Sequence, residues 1–401
     1  MKMRAGQFGA CGIAAVVGGG AAVAQVSVLQ RSVVTIPAMT VDQNGVGFTI
    51  AGMSGVTHRL GTAGASEFVA VMDNSNKLVR VGVAFNADGT IASHTVLGGV
   101  TLAQTGDHEG IALAGGAGGA AGSVLVSNET GPGIAEFALA TGAFVRSLPV
   151  PGVFTAAGNL RANFGFESLC RRGTTGEVWT ANEEALTVDG ALSTPTEGTR
   201  VRLVRYAGAE LAAQQQLVYV TDPIHGSVIS GSRSGVSDLV ALPDGRLLVL
   251  ERSLALGAGI FRTAIYLVDP GQAGVTDVSG MAGLIGQAYV PVDKVRVFEG
   301  FLNQNLEGLS LGPRLSPTTR ALLGVVDDAD FLSNNTLVSF LFSDAAMCAA
   351  DTDASRSVTI DDLFRYLNMW FTGDPEADID GVGGVAIDDL FKYLNSYFVG
   401  C

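Results

Sequence analysis

Short apolar strands, with alternating hydrophobic and polar positions and glycine-rich turns between them, recur along most of this chain. Five segments share a polar loop, a carboxylate or serine, a small residue and then an alternating strand. An apolar strand ending in acidic or amide residues follows each segment, and a third strand follows that. The segments are GMSGVTH (52–58), DHEGIAL (107–113), FGFESLC (164–170), GVSDLVAL (235–242) and NLEGLSL (305–311).

A unit of three or four antiparallel strands recurring every 55–71 residues is typical of the blades of a β-propeller. One blade cannot bury both faces of its sheet, so neighbouring blades must stack around an axis. Strand-like runs at 31–50 and 285–300 would complete blades or form a sixth. We therefore predict a mainly β protein with a propeller of five or six blades over residues 25–343. A pair of β-sandwiches is the alternative, but it would not explain the recurring acids.

Carboxylates recur at matching strand ends. Those at the strand entry are Glu109, Glu167, Asp238 and Glu307, with Ser54 in the first repeat, and those at the next strand's exit are Asp73, Glu129, Glu183, Glu184, Glu251, Asp327 and Asp328. The entry of one antiparallel strand lies beside the exit of its neighbour, so we expect both sets at one end of the channel. Clustered carboxylates repel one another unless cations compensate them, and Ca²⁺ is a usual partner. We predict catalytic roles for Glu109, Glu167, Asp238 and Glu307, and Ca²⁺ ligation by Glu183, Glu251, Asp327 and Asp328.

Other side chains near these motifs are weaker candidates. His108 adjoins Glu109 and would serve as a general acid, or be an ordinary solvated loop histidine. Arg252, Arg161 and Asn163 are candidate substrate-binding residues, because a guanidinium suits phosphate or carboxylate; structural pairing with nearby acids is the alternative. The chain has no G-x-S-x-G nucleophile elbow and no H-E-x-x-H zinc pattern.

Composition narrows the function classes. The net charge is −14, which disfavours binding to nucleic acid or to anionic membranes. Only 7% of the residues are aromatic, whereas 54 are glycine, as expected for many short strands joined by tight turns.

The repeat motifs also resemble those of a known family. GMSGVTH, DHEGIAL, NFGFESLC with GEVWTANEE, GVSDLVALPDGRLLVLER, and NLEGLSLGP with LLGVVDDADF are similar, in this order over residues 45–343, to the phytase-like esterases, a group of secreted bacterial propellers. The resemblance implies hydrolysis of an ester, a phosphate ester being one option, with bound Ca²⁺. The sequence departs from the pattern at Ser54, which replaces an acid, and at the FES of the third repeat.

The C-terminus contains a second duplication. DTDASRSVTIDDLFRYLNMWFTGD (351–374) aligns with DIDGVGGVAIDDLFKYLNSYFVGC (378–401), and each copy places aspartates at positions 1, 3 and 12 of a calcium-loop spacing before an amphipathic helix. The predicted ligands are Asp351, Asp353, Ser355, Asp362, Asp378, Asp380 and Asp389. The second loop lacks two side-chain ligands and should bind calcium more weakly.

This duplication resembles the dockerin-like domains, ending in Gly-Cys, of planctomycete secreted proteins. The resemblance implies an anchoring module over residues 348–401 with a cohesin-like or cell-surface partner. Cys348 and Cys401 bracket the module, so we predict a disulfide between them. Cys170 lies in an apolar strand and should be a buried free thiol.

The N-terminus predicts export. Lys2 and Arg4 precede an apolar, glycine-rich stretch, and Ala22-Val23-Ala24 supplies small residues for cleavage, so we predict a signal peptide over residues 1–24. A buried helix is the alternative, although the many glycines oppose it. No later segment has the ~20 consecutive apolar residues that span a bilayer. We expect a secreted protein, extracellular, periplasmic or at the cell surface.

Three functions are consistent with these observations. The first is a calcium-dependent hydrolase of esters, with phosphate esters as the leading substrates. The second is a non-catalytic propeller that binds a ligand or protein at the channel mouth. The third is a lactonase-type propeller acting on a sugar ester. The few lysines and arginines near the acids do not decide among them.

Overall fold

The strands of this protein follow the predicted repeats closely. The computed structural model describes residues 26–400 except 62–64, 116–121, 258, 301–303, 328–334, 345–346, 354, 356 and 381–383. The predicted signal peptide, residues 1–24, lies outside the described residues. The strands are β1 (Val26–Thr35), β2 (Met39–Val41), β3 (Gly47–Thr49), β4 (Met53–Leu60), β5 (Ser66–Met72), β6 (Lys77–Phe85), β7 (Ile91–Thr101), β8 (His108–Leu113), β9 (Ser123–Asn128), β10 (Gly133–Ala138), β11 (Phe144–Ser147), β12 (Cys170–Arg171), β13 (Val178–Ala181), β14 (Arg200–Ala207), β15 (Ala212–Val220), β16 (Arg233–Ala241), β17 (Leu247–Leu254), β18 (Phe261–Val268), β19 (Lys294–Gly300), β20 (Asn305–Ser316), β21 (Thr319–Asp327) and β22 (Thr336–Asp344). The helices are α1 (Gly152–Thr155), α2 (Ile360–Thr372) and α3 (Ile387–Val399).

The strands form five four-stranded antiparallel sheets, which confirms the propeller and sets the number of blades at five. In chain order from the channel outward, the first four blades are β4–β7, β8–β11, β12–β15 and β16–β19. The fifth blade contains β20, β21 and β22, and its outer strand is β1 from the start of the described chain. Pairing of Val26 with Asp344 and of Thr35 with Thr336 thus joins the two ends of the propeller. The runs at 31–50 and 285–300 therefore supply strands to existing blades and the small β2–β3 hairpin, not a sixth blade.

The core lies between adjacent blades. Five clusters of buried hydrophobic side chains each combine residues from two neighbouring sheets. One of them packs Met53 and Val79 of the first blade against Leu323 and Leu337 of the fifth, which completes the ring. Since burial of apolar area is the main favourable term in folding, this contact holds the propeller closed.

Close approach of the inner strands explains the small residue after each acid. A side chain at Gly110 would place its Cβ 2.4 Å from the backbone nitrogen of Leu169 in the next blade. At Gly308 the Cβ would lie 2.1 Å from the backbone oxygen of Ser54. Any larger residue at these positions would separate the blades, so the glycine of the acid-glycine motif is a packing requirement.

The C-terminal residues form a compact helical pair. The rings of Tyr366 and Tyr393, at matching positions in α2 and α3, stack with centroids 3.7 Å apart. Asp362 accepts hydrogen bonds from the backbone of Asp353 at 3.1 Å and Thr359 at 2.8 Å. In the second copy, Asp389 accepts them from the backbone of Ile379 at 3.0 Å and Ala386 at 2.8 Å. These buried carboxylates tie each loop to the first turn of its helix.

The helical pair contacts the propeller at one end of the channel. A cavity of about 480 Å³ there is lined by the later halves of all five inner strands and by module residues such as Ala349, Thr352 and Met369. Glu376, between the two helices, accepts a hydrogen bond from Arg320 and lies 4.0 Å from Arg314. The helical pair therefore covers the channel end opposite the starts of the inner strands.

Candidate functional site

Three glutamates meet where the inner strands begin, and they are 4–7% exposed. Glu109 and Glu307 each belong to a β-bulge at the start of an inner strand, and Glu167 follows the isolated bridge between Phe166 and Asn182 ahead of β12. One carboxylate oxygen of each lies within 4.8 Å of the other two. The bulge turns the glutamate toward the axis because the extra residue leaves the regular ladder of hydrogen bonds.

Two further groups of carboxylates extend this set. Asp73 and Asp107 join Glu109, while Glu129 and Glu183 join Glu167, with the same 4.8 Å limit within each group. Glu109 and Glu167 are shared between groups, so the seven carboxylates form one connected set, which we call the carboxylate ring. The predicted convergence of strand-entry and strand-exit acids is thus present for Asp73, Glu129 and Glu183.

Arg252 is a buried cation that contacts two members of this ring. Its guanidinium lies 2.7 Å from Glu183 and 3.0 Å from Glu307, and it donates to Asn305 at 3.0 Å. Burial opposes the charge on Arg252, but the carboxylates of Glu307 and Glu183 outweigh it and raise its pKa. Arg252 is only 5% exposed, and its guanidinium already contacts Glu183, Glu307 and Asn305. Its structural role is therefore to orient the ring carboxylates, and it does not offer a free guanidinium to a substrate.

Arg233 is a ring cation that the sequence analysis missed. It lies 3.2 Å from Glu183, its guanidinium sits over the ring of Phe164 at 5.8 Å, and its side chain is 31% exposed. Its place at the start of an inner strand, two residues before the predicted motif that begins at Gly235, is the sequence signal that would have identified it.

Asp238 is not part of the ring, contrary to the alignment of the repeats. The pairing of Asp238 with Leu250 matches that of Gly308 with Val325 in the fifth blade, one residue beyond the acidic position. Its carboxylate accepts hydrogen bonds from the backbone of Leu309 at 2.7 Å and Leu239 at 2.8 Å. Asp238 therefore joins neighbouring inner strands, and Ser237 takes the ring position in the fourth blade.

Glu251 also lies outside the ring, for a similar reason. The fourth-blade counterpart of Asp327 is Arg252, since Gly235 pairs with Arg252 as Asn305 pairs with Asp327. Glu251 points to the other face of the sheet. There it accepts hydrogen bonds from Tyr219 at 2.5 Å, Lys294 at 2.6 Å and the backbone of Asp222 at 2.8 Å.

His108 and Arg161 lie away from the ring. His108 is buried on the other face of its strand, edge-on to Phe137 at 6.2 Å, and burial lowers its pKa, so it does not face the ring. Arg161 donates to the backbone of Ala185 and Gly190 at 3.1 and 2.9 Å and holds a loop.

Asn163, the other predicted substrate ligand, has a left-handed backbone with φ of 61°.

Asp327 accepts a hydrogen bond from Asn305 at 3.1 Å beside Glu307, whereas Asp328 lies outside the described residues. Glu184 accepts hydrogen bonds from Ser193 instead of joining the ring.

Burial and mutual repulsion raise the pKa values of the ring carboxylates. Burial first, and then neighbouring carboxylates, raise the pKa of Glu109 and Glu167 well above the usual range. The same causes raise the pKa of Glu129 to about 8, of Glu307 to about 7 and of Asp73 to about 6. These carboxylates cannot all be charged near neutral pH without a compensating cation.

The donor set fits a hard divalent cation. Every side-chain donor in the ring is an oxygen, and oxygen is the ligand that Ca²⁺ and Mg²⁺ prefer. Asp73 Oδ1 is buried without a hydrogen-bond partner among the described residues. An orphaned carboxylate oxygen within a group of three acids is the arrangement that a bound cation would complete.

The two C-terminal loops form separate acidic groups. Asp351, Asp353 and Asp362 bring carboxylate oxygens within 4.8 Å of one another, as do Asp378, Asp380 and Asp389. Ser355 bonds the aspartates through its backbone amide, at 2.9 Å from both Asp351 and Asp353, while its hydroxyl faces Ser357.

The prediction for Cys170 is confirmed. Cys170 is a buried free cysteine. Cys401, the predicted partner of Cys348, lies outside the described residues, so the disulfide stays a prediction.

Comparison with known proteins identifies the family. A family model described as "Phytase-like: Esterase-like activity of phytase" matches residues 49–331. The chain belongs to the phytase-like family. No curated protein sequence matches it significantly. Among the described residues, no helix is long and apolar enough to cross a membrane.

Similarity to solved structures is distant. The Malassezia sympodialis allergen Mala s 1 is 11% identical with a TM-score of 0.35, covering 75% of this chain and 84% of that one. The Myxococcus xanthus glutaminyl cyclase is 11% identical with a TM-score of 0.36, covering 80% and 99%. The α-L-arabinofuranosidase from Lactobacillus brevis is 9% identical with a TM-score of 0.38, covering 72% and 90%.

Proposed function

We propose that this phytase-like propeller is a secreted, calcium-dependent hydrolase of phosphate esters. The observation that carries the proposal is the carboxylate ring, in which three overlapping groups of acids share Glu109 and Glu167 at one end of the channel. An esterase family name and an all-oxygen donor set together favour a metal-assisted hydrolysis over a serine or thiol nucleophile.

The ring residues have distinct roles in this proposal. Glu109, Glu167 and Glu307 would hold the cation at the axis, with Asp73, Glu129 and Glu183 around them. Calcium bound there would polarise a phosphoryl oxygen and acidify a bound water. Arg252 holds Glu183 and Glu307 in place through its buried ion pairs. Arg233, partly exposed beside Glu183, would attract the anionic group of the substrate.

A direct assay tests this function. The protein lacking residues 1–24 is incubated with phosphate monoesters and with carboxylate esters, with added Ca²⁺ or with a chelator. We expect phosphate release that requires Ca²⁺ and is lost in Glu167→Gln, while Glu210→Gln, at a side chain 92% exposed, behaves as wild type. Carboxylate-ester hydrolysis alone would contradict the phosphate preference. Calcium binding without turnover of either class would favour the non-catalytic propeller.

We further propose that residues 348–401 are a calcium-dependent anchor for a cohesin-like or cell-surface partner. Matching positions of α2 and α3 expose apolar side chains that are 52–79% accessible; they are Ile360, Phe364, Phe371, Ile387, Phe391 and Phe398. Deleting residues 348–401 should abolish attachment and leave esterase activity unchanged. Loss of activity together with attachment would overturn the anchor role.

A further inference from the structure

A bulge at the start of an inner strand identifies the residue that this strand places at the level of the ring. In the fifth blade, Leu306 pairs with Val326 and Gly308 with Val325, so Glu307 is the unpaired bulge residue. In the fourth blade, Val236 pairs with Glu251 and Asp238 with Leu250, which leaves Ser237 unpaired in the same way. Ser237 is therefore the fourth-blade counterpart of Glu307.

The two serines at ring positions differ in their hydrogen bonds. Ser54, the counterpart in the first blade, donates to Glu109 at 2.5 Å. Ser237 is 2% exposed, and its hydroxyl has no hydrogen-bond partner within the described part of the chain. Buried hydroxyls are nearly always paired. Because the matching hydroxyl of Ser54 contacts the ring acid Glu109, the unpaired hydroxyl of Ser237 at the same bulge position points to a missing ligand at the ring.

We propose that the Ser237 hydroxyl oxygen is a ligand of the divalent cation held by Glu109, Glu167 and Glu307. The inference rests on the proposed metal site and adds to it a neutral donor from the fourth blade. Calcium takes six to eight oxygens, more than three carboxylates offer in single contacts. A hydroxyl would supply one of these oxygen ligands without adding negative charge to carboxylates that already repel one another.

This proposal makes a distinct prediction for the thermal stability of the calcium-free protein. Removing an unpaired buried hydroxyl removes the unfavourable burial of a polar group. Ser237→Ala should therefore unfold at the same temperature as wild type, or higher, without calcium, and should gain less from calcium. A purely structural role would lower the stability of the calcium-free protein.

Calorimetric titration of the full chain with Ca²⁺ tests the assignment. The binding step that survives Asp351→Ala combined with Asp378→Ala belongs to the ring, and it is measured in that background. We expect Ser237→Ala to weaken this step about tenfold, and Ser237→Thr, which keeps the hydroxyl, to preserve it. The matched control is Ser234→Ala, which removes another buried, unpaired hydroxyl from the same strand and should leave the affinity unchanged.

The outcomes separate this inference from the proposed function. Wild-type calcium affinity in Ser237→Ala would overturn the role of Ser237 and leave the carboxylate site intact. The absence of any ring step in wild type would overturn both. If Ser237→Ala does not fold, Ser237→Cys replaces the hard oxygen by a soft sulfur of similar size, and unchanged affinity in that variant would refute the proposal.

Discussion

The two ends of the channel are built by the same five inner strands, yet their charged side chains are compensated by different partners. At the starts of the strands, the carboxylate ring has Arg233 and Arg252 as its contacting cations among the described residues. At the other end, Arg314 and Arg320 meet Glu376 from the C-terminal helical pair.

The difference lies in where the compensating charge comes from. The arginine end is compensated within the chain, and Arg320 with Arg314 overcomes the effect of burial and lowers the pKa of Glu376 to about 2. The ring keeps a surplus of carboxylates whose pKa values rise through burial and repulsion. Internal compensation stabilises the fold by itself, whereas an uncompensated cluster makes stability depend on protons or a bound cation.

Removing the ring's buried arginine should have the largest effect. Arg252→Gln removes the cation that contacts buried Glu307 and one of the two that contact Glu183, so we expect a loss of about 4 kcal/mol in the free energy of unfolding without calcium. Chemical denaturation at neutral pH measures it. Arg296→Gln is the control, because that side chain is 49% exposed on an outer strand. Calcium should restore part of the loss; no difference from the control would show that Arg252 does not compensate the ring.

The two ends should respond to pH in opposite directions. The folded pKa of Glu129 is about 8 and that of Glu307 about 7, both raised above 4.5 by burial first and by neighbouring acids. Such groups stabilise the protonated folded state, and this stability is lost as pH rises from about 4.5 to 8. Glu376, with a lowered pKa, loses its contribution only as pH falls from about 4.5 to 2.

Denaturation of the calcium-free protein across this range tests the difference. We expect stability to fall by about 3 kcal/mol between pH 5 and pH 8. Saturating calcium should abolish that fall, because the cation binds the charged carboxylates. A calcium-free protein that becomes more stable over this interval would contradict the account of the ring.

Glu167 connects two of the three carboxylate groups, so its charge matters more than that of a peripheral acid. We expect Glu167→Gln to weaken calcium binding at the ring about a hundredfold, or ~2.7 kcal/mol. The calcium-free variant should be more stable than wild type at pH 8, because one repelling carboxylate is gone. Titration calorimetry and thermal unfolding report the two effects separately, and weaker binding together with lower calcium-free stability would indicate a packing defect instead.

The smallest effect is expected at the arginine end. Glu376→Gln removes the partner of Arg320, but the Glu376 side chain is 43% exposed, so solvent screens the pair and we expect a loss of about 1 kcal/mol. Ring calcium affinity should not change. A change in that affinity would show that the two ends of the channel are coupled.

Repetition along the sequence was enough to predict the propeller and the position of most ring acids. Strand alternation, turn glycines and the acid-glycine motif recur because every blade meets the same neighbours, so Glu109, Glu167 and Glu307 could be aligned from the sequence. The duplicated aspartate spacing likewise predicted the acidic loops at Asp351 and Asp378, since such loops are local in the chain.

Tertiary structure decided what depends on register and on distant contacts. The strand register of the fourth blade places Ser237, not Asp238, at the ring position and Arg252, not Glu251, at the exit position. A one-residue shift in a strand reverses the face of each side chain, and packing against the neighbouring blades sets that shift. Closure of the fifth blade by β1 and the contact of Glu376 with Arg320 join residues far apart in the chain, which no local pattern encodes.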